Sequence, residues 1–205
     1  MSVALPGTFN GFANGSQFVS IDVTPDSSAE RYAISAGGFS TNYNGQSFVS
    51  YCVDLYQYLP SFGAVSNTYA ETNVASYFGS AVKLDAVGRL FSGFAGGVTS
   101  SLASAAFQLA LWEIKNESGT SFNLASGSAR FADRVGTDGN AADLAQSYLN
   151  GLGSVSNNVQ LHVLYSGSQQ DVVYATAVPE PSTYALMLAG LAGIGVFARR
   201  RQTRR

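Results

Sequence analysis

The 205-residue sequence has one cysteine, one histidine and one tryptophan, and only 12% of its residues are charged. A single cysteine excludes a disulfide within the chain. One cysteine and one histidine fall short of the ligand set of a zinc site, and the acidic loops TPDSSAE and GTDGNAAD lack the spacing of a calcium-binding EF-hand, so no metal and no cofactor is expected. Basic residues are also scarce where they would matter for nucleic acid. Five of the eleven (Arg199, Arg200, Arg201, Arg204 and Arg205) fall in the last seven positions, and without that tail and Glu180 six basic residues face twelve acidic ones. A body of charge about −6 repels a phosphate backbone, so no nucleic-acid partner is expected.

The remaining composition favours strands and turns, being rich in glycine, serine, tyrosine and phenylalanine. QFVSIDV and VQLHVLY alternate apolar and polar residues as half-buried strands do, and RYAIS and DVVYAT extend the set. The middle of the chain changes period. In LDAVGRLF the residues Leu84, Val87, Leu90 and Phe91 share a helical face, as do Leu102, Ala105, Ala106, Leu109 and Trp112 in SSLASAAFQLALWEIKNE; AADLAQSYL reads as a third helix. Glu113 and Glu117 fall four apart on what this periodicity makes the exposed side. Strands, then helices, then strands predict an α+β domain over residues 1–176, a β-sandwich or antiparallel sheet with a small helical subdomain.

The end of the chain, AVPEPSTYALMLAGLAGIGVFARRRQTRR, is organised differently. Pro179, Glu180 and Pro181 fall in an extended linker, residues 177–183, because two prolines oppose helix. Residues 184–198 carry no charge and are followed at once by Arg199, Arg200 and Arg201. Fifteen apolar residues alone are short for a bilayer, but the flanking arginines favour a C-terminal transmembrane helix with residues 199–205 as a basic cytoplasmic tail. This three-part tail resembles the PEP-CTERM sorting signal of bacteria that make extracellular polysaccharide. The resemblance implies an exosortase-type processing enzyme as partner, transient residence in the inner membrane, and delivery to the cell surface or a biofilm matrix. Such a route needs a secretory presequence, and MSVALPGTFNGFANGSQ has neither a basic stretch nor a long apolar run; a presequence outside this version of the sequence, or an earlier start codon, is the expectation.

Cys52 in SFVSYCVDLYQYL then calls for a reason. A period of two puts Val49, Tyr51, Val53 and Leu55 on one face and Phe48, Ser50, Cys52 and Asp54 on the other, so the thiol is on the less apolar side. It fits a small core residue, a disulfide to another chain, or a nucleophile. Pairing with His162 would make a cysteine hydrolase, but His162 lies on the polar side of its strand, where solvent exposure is expected. The stretches YCVDLY and FQLALW together resemble the Cys-Gln thioester domains of bacterial surface proteins, in which a strand cysteine is joined to a helix glutamine in a TQxAxW-like motif. Gln108, Ala110 and Trp112 match; Phe107 stands where threonine is usual.

That resemblance implies a thioester between Cys52 and Gln108, shielded by Tyr51, Leu109 and Trp112, in a covalent surface adhesin that acylates an amine on its target. Each molecule would act once, so the protein is expected not to be an enzyme and to have no catalytic residues. A protein lysine, an amino sugar, a polyamine or a polysaccharide hydroxyl would satisfy the chemistry. The alternative is a non-covalent structural or polysaccharide-binding matrix protein delivered by the same tail.

Overall fold

The tightest local instruction in the chain is Asn44-Gly45. Asn44 has φ 51° and Gly45 φ 75°, the paired positive dihedrals that a two-residue hairpin matched to strand twist requires. They join β4 (Phe39–Tyr43) to β5 (Gln46–Cys52) with Tyr43 opposite Gln46 and Phe39 opposite Ser50. The computed structural model describes residues 3–22, 31–133 and 140–178, with residues 191 and 194 besides.

Around this hairpin a six-stranded antiparallel barrel closes. With β1 (Leu5–Phe12), β6 (Val65–Thr72), β8 (Val159–Tyr165) and β9 (Val172–Ala177), its order is β1-β4-β5-β9-β8-β6. A separate antiparallel sheet has the order β3-β2-β7, from β2 (Gln17–Asp22), β3 (Arg31–Ala36) and β7 (Arg130–Asp133). The strands foreseen in QFVSIDV, RYAIS, VQLHVLY and DVVYAT are all present. The mixed α and β content and the antiparallel pairing agree with the sequence; the sandwich does not, because closure into a barrel leaves the six strands without a second facing sheet.

The helices are α1 (Val74–Phe78), α2 (Ala81–Phe94), α3 (Ser101–Asn116) and α4 (Ala141–Gly151). They form a layer rather than a subdomain apart. Helix α3 packs on β5 on one side, on β2, β3 and β7 on another, and on α2 and α4. It starts where Ser100 Oγ accepts the Ala103 N–H at 3.2 Å, an N-cap that satisfies an otherwise free donor. Every residue from Ala103 to Ile114 is buried. The helix therefore has no water-facing side along that run, which corrects the exposed position expected for Glu113.

Glu113 is 1% exposed and accepts the Asn123 N–H at 2.7 Å. Burial pushes its carboxyl up to about 7, from the usual 4.5, and Glu117 adds to the rise against the lowering effect of the Asn123 bond. The folded protein thus holds this proton more tightly than the unfolded chain, so Glu113 makes stability fall as pH rises from about 4.5 through 7. Glu113→Gln keeps the acceptor for Asn123. It is expected to raise the melting temperature at pH 8 by about 2–6 °C and to flatten this part of the stability profile, as read by thermal scans from pH 4 to pH 8.

Among the described residues no helix is long and apolar enough to cross a membrane. The segment 184–198 expected to do so lies outside the described residues apart from Leu191 and Ile194, which are helical. Pro179, Glu180, Pro181 and the Arg199–Arg201 cluster also lie outside them.

Candidate functional site

Cys52 is the last residue of β5, at the point where one of its neighbours stops. Pairing with β4 ends at Phe39 opposite Ser50, whereas pairing with β9 continues, Tyr51 opposite Val173 and Cys52 opposite Val172. On the β4 side the N–H and C=O of Cys52 would be orphaned, and a buried orphan is costly. The Gln108 amide fills the gap: the Cys52 N–H donates to Gln108 Oε1 at 3.0 Å, and Gln108 Nε2 donates to the Cys52 carbonyl at 2.7 Å. A carboxamide has the donor and acceptor spacing of a peptide unit, so α3 supplies one residue's worth of missing strand. Both functional atoms of Gln108 are engaged in this way.

The thiol itself faces a different glutamine. Cys52 Sγ donates to Gln170 Oε1 at 2.8 Å, across 118 positions of sequence. Gln170 is set just before β9 and is pinned from four directions. Its N–H donates to the Tyr58 carbonyl at 3.0 Å, its carbonyl accepts the Tyr69 hydroxyl at 2.8 Å, Nε2 donates to the Asp54 carbonyl at 2.5 Å, and Oε1 accepts the thiol. The turn leading into it is stapled as well. Ser166 Oγ accepts the N–H groups of Ser168 and Gln169 at 3.3 and 3.1 Å, and Asp171 Oδ1 accepts the Ser166 N–H at 2.7 Å. Asp171 Oδ2 takes the Tyr77 hydroxyl at 2.9 Å, and the Asp171 carbonyl takes the Val53 N–H at 3.0 Å.

Cys52 is 2% exposed. Burial above all, then the carboxylates of Asp54 and Asp171, push its thiol well above the ordinary range, so the sulfur stays protonated at neutral pH. Burial, then the Cys52 and Asp171 charges, pushes the Tyr69 phenol upward in the same sense.

Cys52, Gln108 and Gln170 border a cavity of about 350 Å³. Phe12, Phe39 and Phe62 form one apolar wall, with ring centroids 4.9, 5.6 and 6.0 Å apart in the three pairs. Trp112 lies on the α3 side, its ring parallel to Phe131 at 6.2 Å. Tyr51 points the other way, onto Phe107 at 4.4 Å and Phe91 at 5.9 Å. It is a core residue between barrel and helices, not part of the wall around the thiol. Ala110 is fully buried in α3 and leaves room there for close packing.

His162 is not brought to Cys52. Its Nε2 is 3.0 Å from Thr176 Oγ1, its Nδ1 is 3.8 Å from Glu71, and its ring stacks on Tyr174 at 4.7 Å. The histidine is half-buried in this stack rather than open to solvent as its strand position suggested. Among the described residues no three His, Cys, Asp or Glu side chains gather as a metal site would need.

Gln170 escaped the sequence reading although its signal was present. It directly precedes the alternating strand DVVYAT, so whatever strand pairs with that segment meets it end on. Periodicity identifies the strand but not its neighbour in the barrel.

The family model of the PEP-CTERM protein-sorting motif matches residues 177–202. No curated relative matches the sequence. Among solved structures, the chain is similar to the N-terminal thioester domain of a surface protein from Clostridium perfringens, a cysteine-to-alanine mutant, at 15% identity and a TM-score of 0.48, over 78% of this chain and 99% of that one. The chain therefore carries a C-terminal sorting motif of exported proteins.

Proposed function

We propose that this is an exported surface protein that attaches covalently to an amine-bearing target through an internal thioester between Cys52 and Gln170. The observation that carries the reading is the 2.8 Å approach of Cys52 Sγ to Gln170 Oε1 in a largely apolar cavity. Enforced proximity is what a carboxamide, a poor electrophile, needs before a thiol attacks it. The sulfur bonds to Cδ of Gln170, the Cδ–Nε2 bond breaks, and the thiol proton leaves with the nitrogen as ammonia. The Asp54 carbonyl, already bonded to Nε2, orients the leaving group. Gln108 is a positioning residue in this scheme, because its amide holds the strand end that presents the sulfur.

The stored acyl group is transferred once. An amine attacks Cδ, the C–N bond forms, the C–S bond breaks and the Cys52 thiol is regenerated, leaving the target on Gln170 through an amide. Nothing returns the glutamyl group to its starting state, so the protein acts as a reagent and not as an enzyme. The sorting motif supports export, and the reading includes processing by an exosortase and a final place on the surface or in the extracellular matrix.

The test is the intact mass of folded protein, before and after methylamine, beside Cys52→Ala. The expected wild-type mass is lower by one ammonia and gains one methylamine, with the methylamide mapped to Gln170 by peptide sequencing; Cys52→Ala does neither. A methylamide on Gln108 would restore the helix glutamine as acyl donor. A full-length mass with no ammonia deficit and no uptake would overturn the thioester itself.

A further inference from the structure

The cavity beside the thiol has features that the acyl transfer itself does not use. Trp112 and Gln57 both line it, and the donor Trp112 Nε1 and the acceptor Gln57 Oε1 are buried without a hydrogen-bond partner among the described residues. Trp112 is 2% exposed. Buried polar groups are as a rule satisfied, and one left open costs stability unless something else completes it. An alkyl stem entering this cavity would leave both atoms unpaired. A hydroxyl-bearing ligand that turned the two side chains toward it would donate to Gln57 Oε1 and accept from Trp112 Nε1.

The mouth of the same cavity is aromatic. Tyr58 is 90% exposed and Phe62 52%, and both line it; Tyr56, two residues before Tyr58, is 74% exposed. Flat rings held open to water offer faces to the C–H groups of a sugar ring. Among the described residues the lining contains no Asp, Glu, Lys, Arg or His. Among the described lining residues an ammonium ion finds no ion partner, and desolvating an unpaired charge is strongly unfavourable. Of the two carboxylates whose charge reaches the thiol, Asp171 has both oxygens bonded, to Ser166 and Tyr77, and Asp54 Oδ1 accepts the Tyr56 N–H; neither is among the lining groups.

The nucleophile must then arrive uncharged. A lysine amine with a pKa near 10.4 is unprotonated in roughly one molecule in 2,500 at pH 7, whereas an amine with a pKa near 8, the range of an α-amino group, is so in about one in ten. An amine on a carbon next to electron-withdrawing oxygen substituents falls in the weaker class.

We propose that the cavity is an acceptor site for a hexosamine, a sugar unit with a free 2-amino group, whose ring stacks on Tyr58 and Phe62 and whose hydroxyls pair with Trp112 Nε1 and Gln57 Oε1. The amine attacks the Gln170 acyl carbon, the C–S bond breaks, and the Cys52 thiol takes up the proton lost by the nitrogen. The product is an amide joining the protein to a partly de-acetylated polysaccharide. This rests on the thioester reading.

The test follows adduct mass over time at pH 7 in folded full-length protein. The amines are methylamine, a peptide with a free α-amino group, a lysine peptide with a blocked N-terminus, and a glucosamine tetramer, with the N-acetylated tetramer as blank. The tetramer is expected to react at least tenfold faster per unprotonated amine than methylamine or either peptide. In Tyr58→Ala, an exposed position, and in Gln57→Ala, that preference is expected to fall to about one. Equal rates per unprotonated amine, a lysine peptide that leads, or a preference that survives both substitutions would overturn the hexosamine assignment while methylamine uptake upholds the thioester. Absence of the ammonia deficit and of all uptake would overturn both.

Discussion

Gln170→Ala is expected to abolish both the missing ammonia and the uptake of methylamine, and to leave Cys52 fully alkylatable once the protein is denatured. The effect is all or none because, among the described residues, the thiol is hydrogen-bonded to the Gln170 amide. The fold should survive the change. Gln170 is half-buried, and its backbone bonds to Tyr58 and Tyr69 do not involve the side chain. Intact mass read beside thiol alkylation in denaturant separates this outcome from simple misfolding. Full methylamine uptake by Gln170→Ala would remove this residue from the chemistry.

Gln108→Ala is expected to act on a different quantity. Removing the amide strands the N–H and C=O of Cys52, both buried. At about 1–3 kcal/mol for each unsatisfied group, the loss is about 2–6 kcal/mol, enough to lower the melting temperature by roughly 4–24 °C. The sulfur is also released from its fixed position, so thioester formation should be slow or incomplete in whatever fraction folds. Gln108→Glu at low pH, where a neutral carboxyl keeps a donor and an acceptor, should recover part of the stability. Thermal unfolding with intact mass on the same samples checks both. A variant as stable as the parent would mean that the strand end does not depend on α3.

These two expectations divide between two glutamines a role that the sequence reading gave to one. The likeness of FQLALW and YCVDLY to thioester domains did bring together residues that touch, since Gln108 is hydrogen-bonded to Cys52. What spacing in a helix cannot reveal is which atoms meet. Gln108 meets the backbone of Cys52 because β4 begins two residues too late to reach it, and the start of β4 at Phe39 follows from Gly37 and Gly38, where the chain passes close to α3: the Gly38 N–H donates to Ser104 Oγ at 2.9 Å. A Cβ on Gly38 would come within 2.7 Å of the Tyr51 ring. Nothing in local periodicity encodes that approach. Helices α2, α3 and α4 and the alternating strands were legible because their faces are unequal, whereas the burial of Glu113 was not, because α3 is covered on every side by elements distant in sequence. The Asn44-Gly45 hairpin carried a strong signal that the reading passed over, and it sets the register of β5 and hence the face on which Cys52 points. Barrel closure depends on non-local pairing such as β5 with β9, which alternation leaves undetermined.

The placement of Gln170 at the head of β9 bears on mechanics. Once a target is attached there, a pull between it and the residues beyond Ala177 runs along β9 from end to end. That strand lies between β5 and β8, and its ladder bonds run across the direction of pull. Both points of attachment are on that one strand, so its covalent backbone carries the tension and the ladder bonds are not opened one after another as in a zipper. The barrel need not unravel to bear tension, and neither β1 to β4 nor the helical layer lies in the path of the force.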